Sequence, residues 1–408
     1  MTAADNGFRT TTAKRHISVC VLIDALGWKI LEDREFFNDL LVFRQPLRTV
    51  LGFSSGAIPS LLTGRSPSQH GHWNLFYYDP TGSPFACLRW LRYFPDRLVN
   101  HRVSQKIIKE AGRRLFHMGP QFECYVKPTL MPFFNWVERS CIYEPGGISG
   151  ARSIFDDLET RGTRYRAYSY HHWNDEQILQ LAQNDLENSD TEFFFVYLCE
   201  LDAELHSFWA HPDRLGSMLA RYETKLRRLF ETALHLDPSA SIAIFSDHGM
   251  APVTNRFDLV KDIEALGWKM PDDYLGVYDS TMARFWFFNQ EARASITACL
   301  VKKTCGHVLS DEELEELGVC FSDRRFGETI FLLNSGCMFY RSDFHSGNWL
   351  PNGMHGYHPN DPYSDAIFLS NRQPDPPLHT ICDIYRYMGH VSGVQELQFV
   401  DVPLSEQF

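Results

Sequence analysis

Four short apolar runs constrain the fold of this chain more than any other feature of its sequence. The first, residues 17–23, is apolar except for one serine and ends abruptly at Asp24; similar runs cover residues 193–198, 242–245 and 366–369. Strands that are buried on both faces of a parallel sheet have this pattern. Most of the runs are followed by polar or Gly-rich residues and then by helical periodicity. We therefore predict an α/β fold with a mostly parallel sheet sandwiched by helices.

Two stretches interrupt this alternation. Residues 81–150 are rich in aromatic and basic residues and are predicted to form an insertion that covers one side of a ligand site. Residues 266–340 combine strand-like and helical patterns, which predicts a small α+β cap. The predicted core therefore comprises residues 15–265 and 341–400.

The composition narrows the classes of protein and partner. Of the 408 residues, 44% are hydrophobic and 14% aromatic, so the chain can bury a core and is expected to be compact. The formal net charge of −12 argues against a nucleic-acid polymer as partner, because such binding depends on clustered Lys and Arg. An anionic substrate must then be met by local positive charge, and bound cations are one source of it.

The sequence shows no recognisable targeting or membrane segment. Residues 1–16 are polar and lack the apolar part of a secretory signal, and no later run approaches about 18 apolar residues. The ten cysteines are scattered without CxxC pairs, which favours reduced core residues. We therefore expect a cytoplasmic protein without a membrane span.

Two segments in the first 64 residues place polar groups where chemistry is feasible. Asp24 ends the first strand, although an Asp at such a place is more often a helix cap or a turn residue. Ser54 and Ser55 lie in GFSSGAIPSLLTG, ahead of a helix-compatible stretch. A hydroxyl there would sit at a helix N-terminus, which favours an anion, and an ordinary Ser N-cap is the alternative.

Three further segments supply carboxylates and imidazoles. Asp202 and His206 lie four residues apart after a buried strand and would share one face of a helix, although such pairs also occur by chance. Asp247 and His248 follow a strand directly in SDHGM, where a metal-side bend and a solvated loop are the two interpretations. His355 lies in GMHGYHP.

Together these segments offer enough ligands for two cations. Three carboxylates and three imidazoles suit Zn²⁺ or Mn²⁺ better than the all-oxygen sites preferred by Ca²⁺ and Mg²⁺. Two such ions can activate a hydroxyl and stabilise the attacking and leaving oxygens of a phosphoester. The expected cofactors are two divalent metal ions, Zn²⁺ before Mn²⁺, and the candidate ligands are Asp24, Asp202, His206, Asp247, His248 and His355.

In chain order, DALGW, SSGAIPSLLTG, LDAELH, SDHGM and GMHGYHP resemble the motifs of a known enzyme family, the type I phosphodiesterases and nucleotide pyrophosphatases of the alkaline phosphatase superfamily. The resemblance spans about residues 17–390. It implies an alkaline phosphatase-like core and a metal-dependent hydrolase that acts on a small phosphoester.

The resemblance also implies roles for individual residues. One metal ion would be held by Asp202, His206 and His355. The other would be held by Asp24, Asp247, His248 and the nucleophile oxygen. In the family the nucleophile stands nine residues before the Thr of a Thr-Gly pair, and counting back from Thr63 gives Ser54.

Departures from the family pattern leave other assignments open. Relatives usually carry Thr followed by Phe-Pro-Asn, whereas Ser54 is followed here by Ser-Gly-Ala, so Ser55 stays an alternative nucleophile and the usual Asn contact to phosphate is missing. Asn74, in HWNLF, is predicted to replace that contact. Arg284, in the predicted cap, is either a phosphate or leaving-group contact or a structural ion-pair partner.

The resemblance implies cleavage of a phosphodiester or pyrophosphate bond through a phosphoseryl intermediate on Ser54. A phosphomonoesterase, a phosphotransferase and a non-catalytic phospholigand-binding relative are the alternatives. A dianionic monoester needs extra cationic groups, and near Ser54 the sequence offers only Arg48 and Arg65, which favours the diester. The aromatic-rich insertion would bind the group on the phosphate, form a subunit contact, or simply pack as core.

Overall fold

A computed structural model describes residues 15–115, 122, 126–209, 211–343 and 350–394. Parts of the predicted core, residues 210, 344–349 and 395–400, and of the predicted insertion, residues 116–121 and 123–125, lie outside this description. Sixteen strands are numbered in chain order: β1 (Ser18–Ile23), β2 (Phe43–Leu47), β3 (Phe76–Tyr78), β4 (Phe134–Trp136), β5 (Tyr165–Tyr168), β6 (Phe193–Leu198), β7 (Ser241–Phe245), β8 (Ala251–Pro252), β9 (Asn255–Phe257), β10 (Tyr274–Asp279), β11 (Met282–Phe287), β12 (Gly306–Val308), β13 (Thr329–Leu333), β14 (Cys337–Phe339), β15 (Gly353–Met354) and β16 (Ala366–Ser370).

The α-helices of the described residues are numbered in the same way. They are α1 (Trp28–Leu31), α2 (Ser54–Thr63), α3 (Pro67–His70), α4 (Asp96–Val99), α5 (Arg102–Leu115), α6 (Ile154–Arg161), α7 (Asp175–Asn188), α8 (Glu200–Phe208), α9 (Pro212–Leu236), α10 (Leu259–Glu264), α11 (Gln290–Val301), α12 (Asp311–Glu316) and α13 (Asp383–Val391). Short 3₁₀-helices cover Ala86–Tyr93 and Met131–Phe133. None of the helices in the described ranges is long and apolar enough to cross a bilayer.

A six-stranded sheet with the order β2-β16-β7-β1-β6-β5 forms the centre of the molecule. The four strands β7, β1, β6 and β5 run parallel to one another, and β16 pairs antiparallel with both β7 and β2. The four apolar runs seen in the sequence correspond, in chain order, to β1, β6, β7 and β16. The predicted α/β fold with a mostly parallel central sheet is therefore confirmed.

Alternate side chains of the central strands enter two different cores. In β1, Val19, Val21 and Ile23 pack with apolar residues of α7 and α9, whereas Cys20 and Leu22 pack with residues of α2, α6 and α13. Successive side chains of a strand point to opposite faces, so an unbroken apolar run fits a strand that helices cover on both faces. The sheet is thus sandwiched between two layers of helices.

A second, antiparallel sheet lies within the range predicted as a cap. Its strands follow the order β10-β11-β13-β12, and one side packs with residues of α10 and α11 in a separate apolar cluster. The opposite side contributes Leu275, Val277 and Trp286 to a cluster that also contains Phe122 and Trp136 of the predicted insertion. The insertion and the second sheet therefore share one apolar core.

Candidate active site

The register of the central sheet brings three strand ends together. Ile23 of β1 lies opposite Leu198 of β6, and Leu22 lies opposite Phe245 of β7. Because these strands are parallel, the residues that follow them meet at one edge, where ligands bind in open α/β sheets. Asp24, the start of α8 and the Asp247–His248 pair all follow these ends.

Two backbone features hold the loops of this edge close together. Ala25 has a φ of +60°, a left-handed conformation that turns the chain immediately after Asp24. A Cβ atom on Gly27 would lie 2.6 Å from the Cα of Gly249, so only glycine allows the two loops to approach this closely. The approach places Asp24 beside the Asp247–His248 pair.

Asp202, His206 and His355 form one corner of the site. Asp202 and His206 share a face of α8, and Nε2 of His206 lies 3.4 Å from Asp202 Oδ1. Pairing of β15 with β8 brings in His355, whose Nε2 lies 3.5 Å from the same oxygen. His206 Nδ1 donates to the carbonyl of Gly353 at 2.8 Å, which orients its ring.

Asp24, Asp247 and His248 form the second corner. His248 Nε2 lies 3.5 Å from Asp24 Oδ1 and 3.2 Å from Asp247 Oδ2. His248 Nδ1 donates to the carbonyl of Gly249 at 2.9 Å, which leaves Nε2 as the nitrogen that faces Ser54 and the two carboxylates. Tyr197 donates to the other carboxylate oxygen of Asp24 at 2.5 Å. These hydrogen bonds hold the side chains of Asp24 and His248 on the side away from the site, so that one ligand atom of each points into it.

The chemistry of these groups fits bound cations. Four buried atoms of the candidate ligands lack any hydrogen-bond partner among the described residues: Asp24 Oδ1, Asp202 Oδ1, Asp247 Oδ2 and His355 Nδ1. Unsatisfied carboxylate oxygens are costly to bury unless a cation neutralises them. The ligand atoms of Asp202, His248 and His355 lie within 4.8 Å of one another, and so do those of Asp24, Asp247 and His248. His248 therefore belongs to both groups that suit metal ions, whereas His206, which contacts Asp202, is a member of neither.

Titration behaviour agrees with this interpretation. Burial raises the pKa of Asp24 well above its ordinary value, and the neighbouring carboxylates of Asp247 and Asp202 raise it further. Burial also lowers the pKa of His355 well below its ordinary value, with His248 adding to the effect, so the imidazole stays neutral. A neutral imidazole beside crowded carboxylates is a suitable environment for a divalent cation.

Ser54 and Ser55 differ in the partners of their hydroxyls. Ser54 is the first residue of α2, and its Oγ lies 2.9 Å from His248 Nε2, beside the second corner. Ser55 Oγ donates to the carbonyl of Trp73 at 2.9 Å. Both residues line the cavity, but only the Ser54 hydroxyl contacts a candidate metal ligand.

The cavity that contains these groups has a volume of about 450 Å³. Its wall includes ligands from both corners together with Phe53, Glu138, Tyr143, Tyr170 and His171. Among the described residues that form this wall, none is Lys or Arg, and Arg48 and Arg65 do not contribute to it. The positive charge required by a phosphoester must therefore come from another source, such as bound cations.

The two predicted substrate contacts occupy different environments. Asn74 is buried and precedes the wall residue Leu75 in the chain, but it does not itself line the cavity, and neither atom of its side-chain amide has a hydrogen-bond partner among the described residues. Arg284 is buried on β11 of the second sheet, where Nε donates to Asp279 at 2.6 Å and Nη1 donates to the Phe76 carbonyl at 3.1 Å. Arg284 does not line the cavity, so its contacts match the ion-pair interpretation rather than the substrate-contact interpretation.

Sequence reasoning missed several residues of the cavity wall. Glu138, Tyr143 and Tyr170 lie outside the motifs, and Tyr197 is one residue of an apolar strand. An unexpected hydroxyl in the run FFFVYL is the one signal that would have identified Tyr197. No local pattern distinguishes Glu138 from a surface glutamate.

Glu138 is a buried carboxyl whose protonation affects stability. Burial raises its pKa to about 7 from an ordinary value of 4.5. The unfolded chain therefore releases this proton at lower pH than the folded chain, and the free energy of unfolding falls as pH rises between these values. We expect Glu138→Gln to remove this penalty, raising the free energy of unfolding by up to about 3 kcal/mol above pH 7 and much less near pH 4.5.

Urea unfolding of both proteins across this pH range tests the prediction. Glu144→Gln, at an exposed position in the same segment, is the matched control and should show no such pH-dependent gain. A gain for Glu138→Gln that is equal at all pH values would show that the carboxyl is not buried as described.

Known proteins resemble this chain in sequence and in fold. The sequence profile of the type I phosphodiesterase / nucleotide pyrophosphatase family matches residues 19–358. Human ectonucleotide pyrophosphatase/phosphodiesterase 5 has a similar structure, with a TM-score of 0.66 and 14% identity over 95% of this chain and 96% of that one. The murine protein, both alone and as an inactive variant in complex with AMP, gives 0.64 and 15% identity over the same shares.

The structural likeness, at these identities, shows a shared fold. A search of curated protein sequences gives no significant match. Divalent metal ions are used by the matched family, and both Asp/His groups in the structure are able to hold them. Because the profile covers most of the chain, the resemblance of the motifs is confirmed, and the protein belongs to the type I phosphodiesterase / nucleotide pyrophosphatase family of phosphoric ester hydrolases.

Proposed function

We propose that this protein hydrolyses a phosphodiester or pyrophosphate bond of a small molecule through a phosphoseryl intermediate on Ser54, at a site for two divalent cations. One observation carries the proposal. The Ser54 hydroxyl and the two Asp/His groups converge on a single cavity whose described wall contains no Lys or Arg.

The proposed metal ligands follow the two corners of the site. Asp202, His206 and His355 would hold one ion, and Asp24, Asp247, His248 and Ser54 would hold the other. Mixed imidazole and carboxylate ligands favour Zn²⁺, with Mn²⁺ as second choice. When bound, the ions would lower the pKa of the Ser54 hydroxyl and neutralise charge on the phosphoryl oxygens.

Ser54 is favoured over Ser55 as nucleophile because of hydroxyl orientation. Contact with His248 Nε2 directs the Ser54 hydroxyl towards the second corner, whereas Ser55 is held by a backbone carbonyl. Ser54 also begins α2, whose free N–H groups and dipole stabilise an anion. Attack by Ser54 Oγ on phosphorus would expel the first alcohol or phosphate, and water would then release Ser54.

Asn74 supports the same reaction as a positioning group. Its buried amide has no hydrogen-bond partner among the described residues, and a donor left unpaired costs about 1–3 kcal/mol. Asn74 does not itself line the cavity, but it precedes the wall residue Leu75, and a non-bridging phosphoryl oxygen that comes within reach of its amide would supply the missing acceptor. This role is the one that the sequence assigned to Asn74.

Charge decides between a diester and a monoester. A monoester carries a second negative charge, which monoesterases balance with extra cationic side chains. Here the wall residues offer none, and Glu138 adds a further carboxyl. A singly charged diester or an internal pyrophosphate linkage therefore fits this cavity better than a dianionic monoester. The same argument disfavours a phosphatase and a phosphotransferase that act on a monoester.

The group attached to the phosphate would contact an aromatic wall. Tyr143, Tyr170 and His171 cluster there, with ring centroids 4.7–4.8 Å apart between His171 and each tyrosine. Flat rings of this kind can stack on a base, and the murine relative binds AMP. A nucleotide is therefore our first candidate for the substituent.

The relative rates of bis-p-nitrophenyl phosphate and p-nitrophenyl phosphate hydrolysis test the proposed function. After chelation and re-addition of Zn²⁺ or Mn²⁺, we expect the diester to be cleaved at least about tenfold faster, because one extra negative charge is worth more than about 1.4 kcal/mol in such a site. Preference for the monoester would assign a phosphatase or transferase. Metal binding without hydrolysis of either compound, or of a dinucleotide, would indicate a phospholigand-binding protein.

A further inference from the structure

The insertion concentrates positive charge in an acidic protein. Between residues 86 and 115 the sequence has eight Lys or Arg residues and two Asp or Glu residues, a local charge of +6 in a chain of −12. The side chains of Arg89, Arg92, Lys106 and Arg114 are exposed. The proposed reaction uses none of these residues, because they do not line the cavity.

The same stretch exposes an unusual number of large apolar side chains. The described part of the chain exposes fifteen of them, and six lie between positions 90 and 107. Each of the six is at least half exposed: Trp90, Tyr93, Phe94, Leu98, Val103 and Ile107. We call residues 89–107 the basic aromatic surface. Clusters of exposed apolar residues usually mark an interaction site.

This exposure is a property of one side of the insertion. Leu88 and Ile108 pack against the cluster that contains Phe85 and Phe122, and Gly112 also lies against the Phe122 ring. Val103 and Ile107, four residues apart on α5, point away from that cluster and are exposed. The insertion therefore buries one face and presents a second apolar face.

Contacts join the members of the basic aromatic surface. The rings of Trp90 and Phe94 meet edge to face at 5.5 Å, and Arg92 lies over the ring of Tyr93 at 4.9 Å. Ser104, next to Val103, donates to the carbonyl of Leu98 at 3.4 Å. Aromatic and basic side chains are thus neighbours within residues 90–94, and the segment that carries Leu98 contacts the start of α5, which carries Val103 and Ile107.

We propose that the basic aromatic surface docks the protein on an anionic phospholipid bilayer. Trp and Tyr rings with a polar tip suit the headgroup region, and aliphatic side chains suit the outer part of the acyl layer. Arg and Lys on the same surface match anionic headgroups, which the cytoplasmic leaflet carries. The predicted cytoplasmic location is compatible with such contact.

Charge and side-chain type favour a bilayer over the other classes of partner. A second copy of the surface would bring two patches of like charge together, which opposes self-association. Single-stranded nucleic acid binds by stacking on aromatic rings and by charge, and exposed aliphatic residues such as Leu98, Val103 and Ile107 contribute to neither. A lipid surface uses all three kinds of side chain.

Vesicle sedimentation with the full chain tests the proposal. We expect binding to vesicles of equal parts phosphatidylglycerol and phosphatidylcholine, weakened by salt, and little binding to phosphatidylcholine alone. Trp90→Ser combined with Phe94→Ser, and separately Arg92→Glu combined with Lys106→Glu, should each lower the partition coefficient at least about tenfold. All four positions are exposed, so the variants should unfold at the wild-type temperature.

Matched variants elsewhere on the surface provide the controls. Phe257→Ser with Phe288→Ser removes two exposed rings, and Lys302→Glu with Arg228→Glu reverses two exposed charges; both pairs should bind vesicles as wild type does. Absence of wild-type binding to anionic vesicles would overturn the proposal, as would unchanged binding of the two surface variants. A dimer in light scattering that the Trp90 and Phe94 changes dissociate, without vesicle binding, would show a subunit contact instead.

Discussion

Replacement of Ser54 by Ala is expected to lower the turnover of bis-p-nitrophenyl phosphate by at least about 10³-fold, or about 4 kcal/mol of transition-state stabilisation. The change removes the oxygen that we propose forms the covalent intermediate. It also removes the hydrogen bond to His248 Nε2, but it leaves the six side-chain ligands in place. Steady-state rates at saturating Zn²⁺, together with the metal content of the variant, measure the effect.

Ser55→Ala is the matched control for this variant. It removes a neighbouring hydroxyl whose contact is the Trp73 carbonyl, so its cost should be that of one hydrogen bond, roughly 1 kcal/mol. Full activity of Ser54→Ala with loss of activity in Ser55→Ala would transfer the nucleophile to Ser55. Full activity of both variants would indicate a water nucleophile.

Removal of divalent cations is expected to abolish hydrolysis and to destabilise the fold. In the metal-free protein the carboxylates of Asp24, Asp247 and Asp202 repel one another, and burial adds to the cost of ionising Asp24. Restoring Zn²⁺ to about 100 times its dissociation constant should stabilise the protein by about 3 kcal/mol for each site. Calorimetry of the chelated and reloaded protein measures the gain, and rates measured on the same samples show whether activity returns.

Single ligand changes distinguish one site from two. Wild type should retain two ions per chain, and Asp202→Asn should retain one, because Asp202 belongs to one corner only. Asp361→Asn, a change to a carboxylate six residues after His355 and outside both groups, is the control and should retain two. Equal metal content in wild type and Asp202→Asn, or an unchanged melting temperature after chelation, would contradict the two-metal site.

Much of the fold could be predicted because buried parallel strands have a simple sequence pattern. The runs that became β1, β6 and β7 are short, continuous and apolar, and each ends at the polar residues of the site. Because parallel strands end at one edge of a sheet, the sequence predicts that Asp24, Asp202 and Asp247 lie close together. The spacing of Asp202 and His206 on α8 likewise follows from helical periodicity.

Other features depend on tertiary contacts that no local pattern encodes. The run that became β16 resembles the parallel strands, but it is antiparallel to β7, since strand composition does not specify direction. Edge strands are harder to recognise: β2 contains Pro46, and β5 is only half-buried along most of its length. The sequence of Arg284 and its neighbours fits an anion contact and an ion-pair partner equally well. The structure distinguishes the two, because Arg284 Nε lies 2.6 Å from Asp279.

Trapping of a covalent intermediate tests the central claim most directly. Metal-loaded protein would be quenched with acid during turnover of bis-p-nitrophenyl phosphate, digested, and examined by mass spectrometry. We predict a p-nitrophenylphosphoryl group on the peptide that contains Ser54, located at Ser54 and missing from Ser54→Ala. The same group on Ser55, or metal-dependent turnover with no covalent group on either serine, would contradict the account.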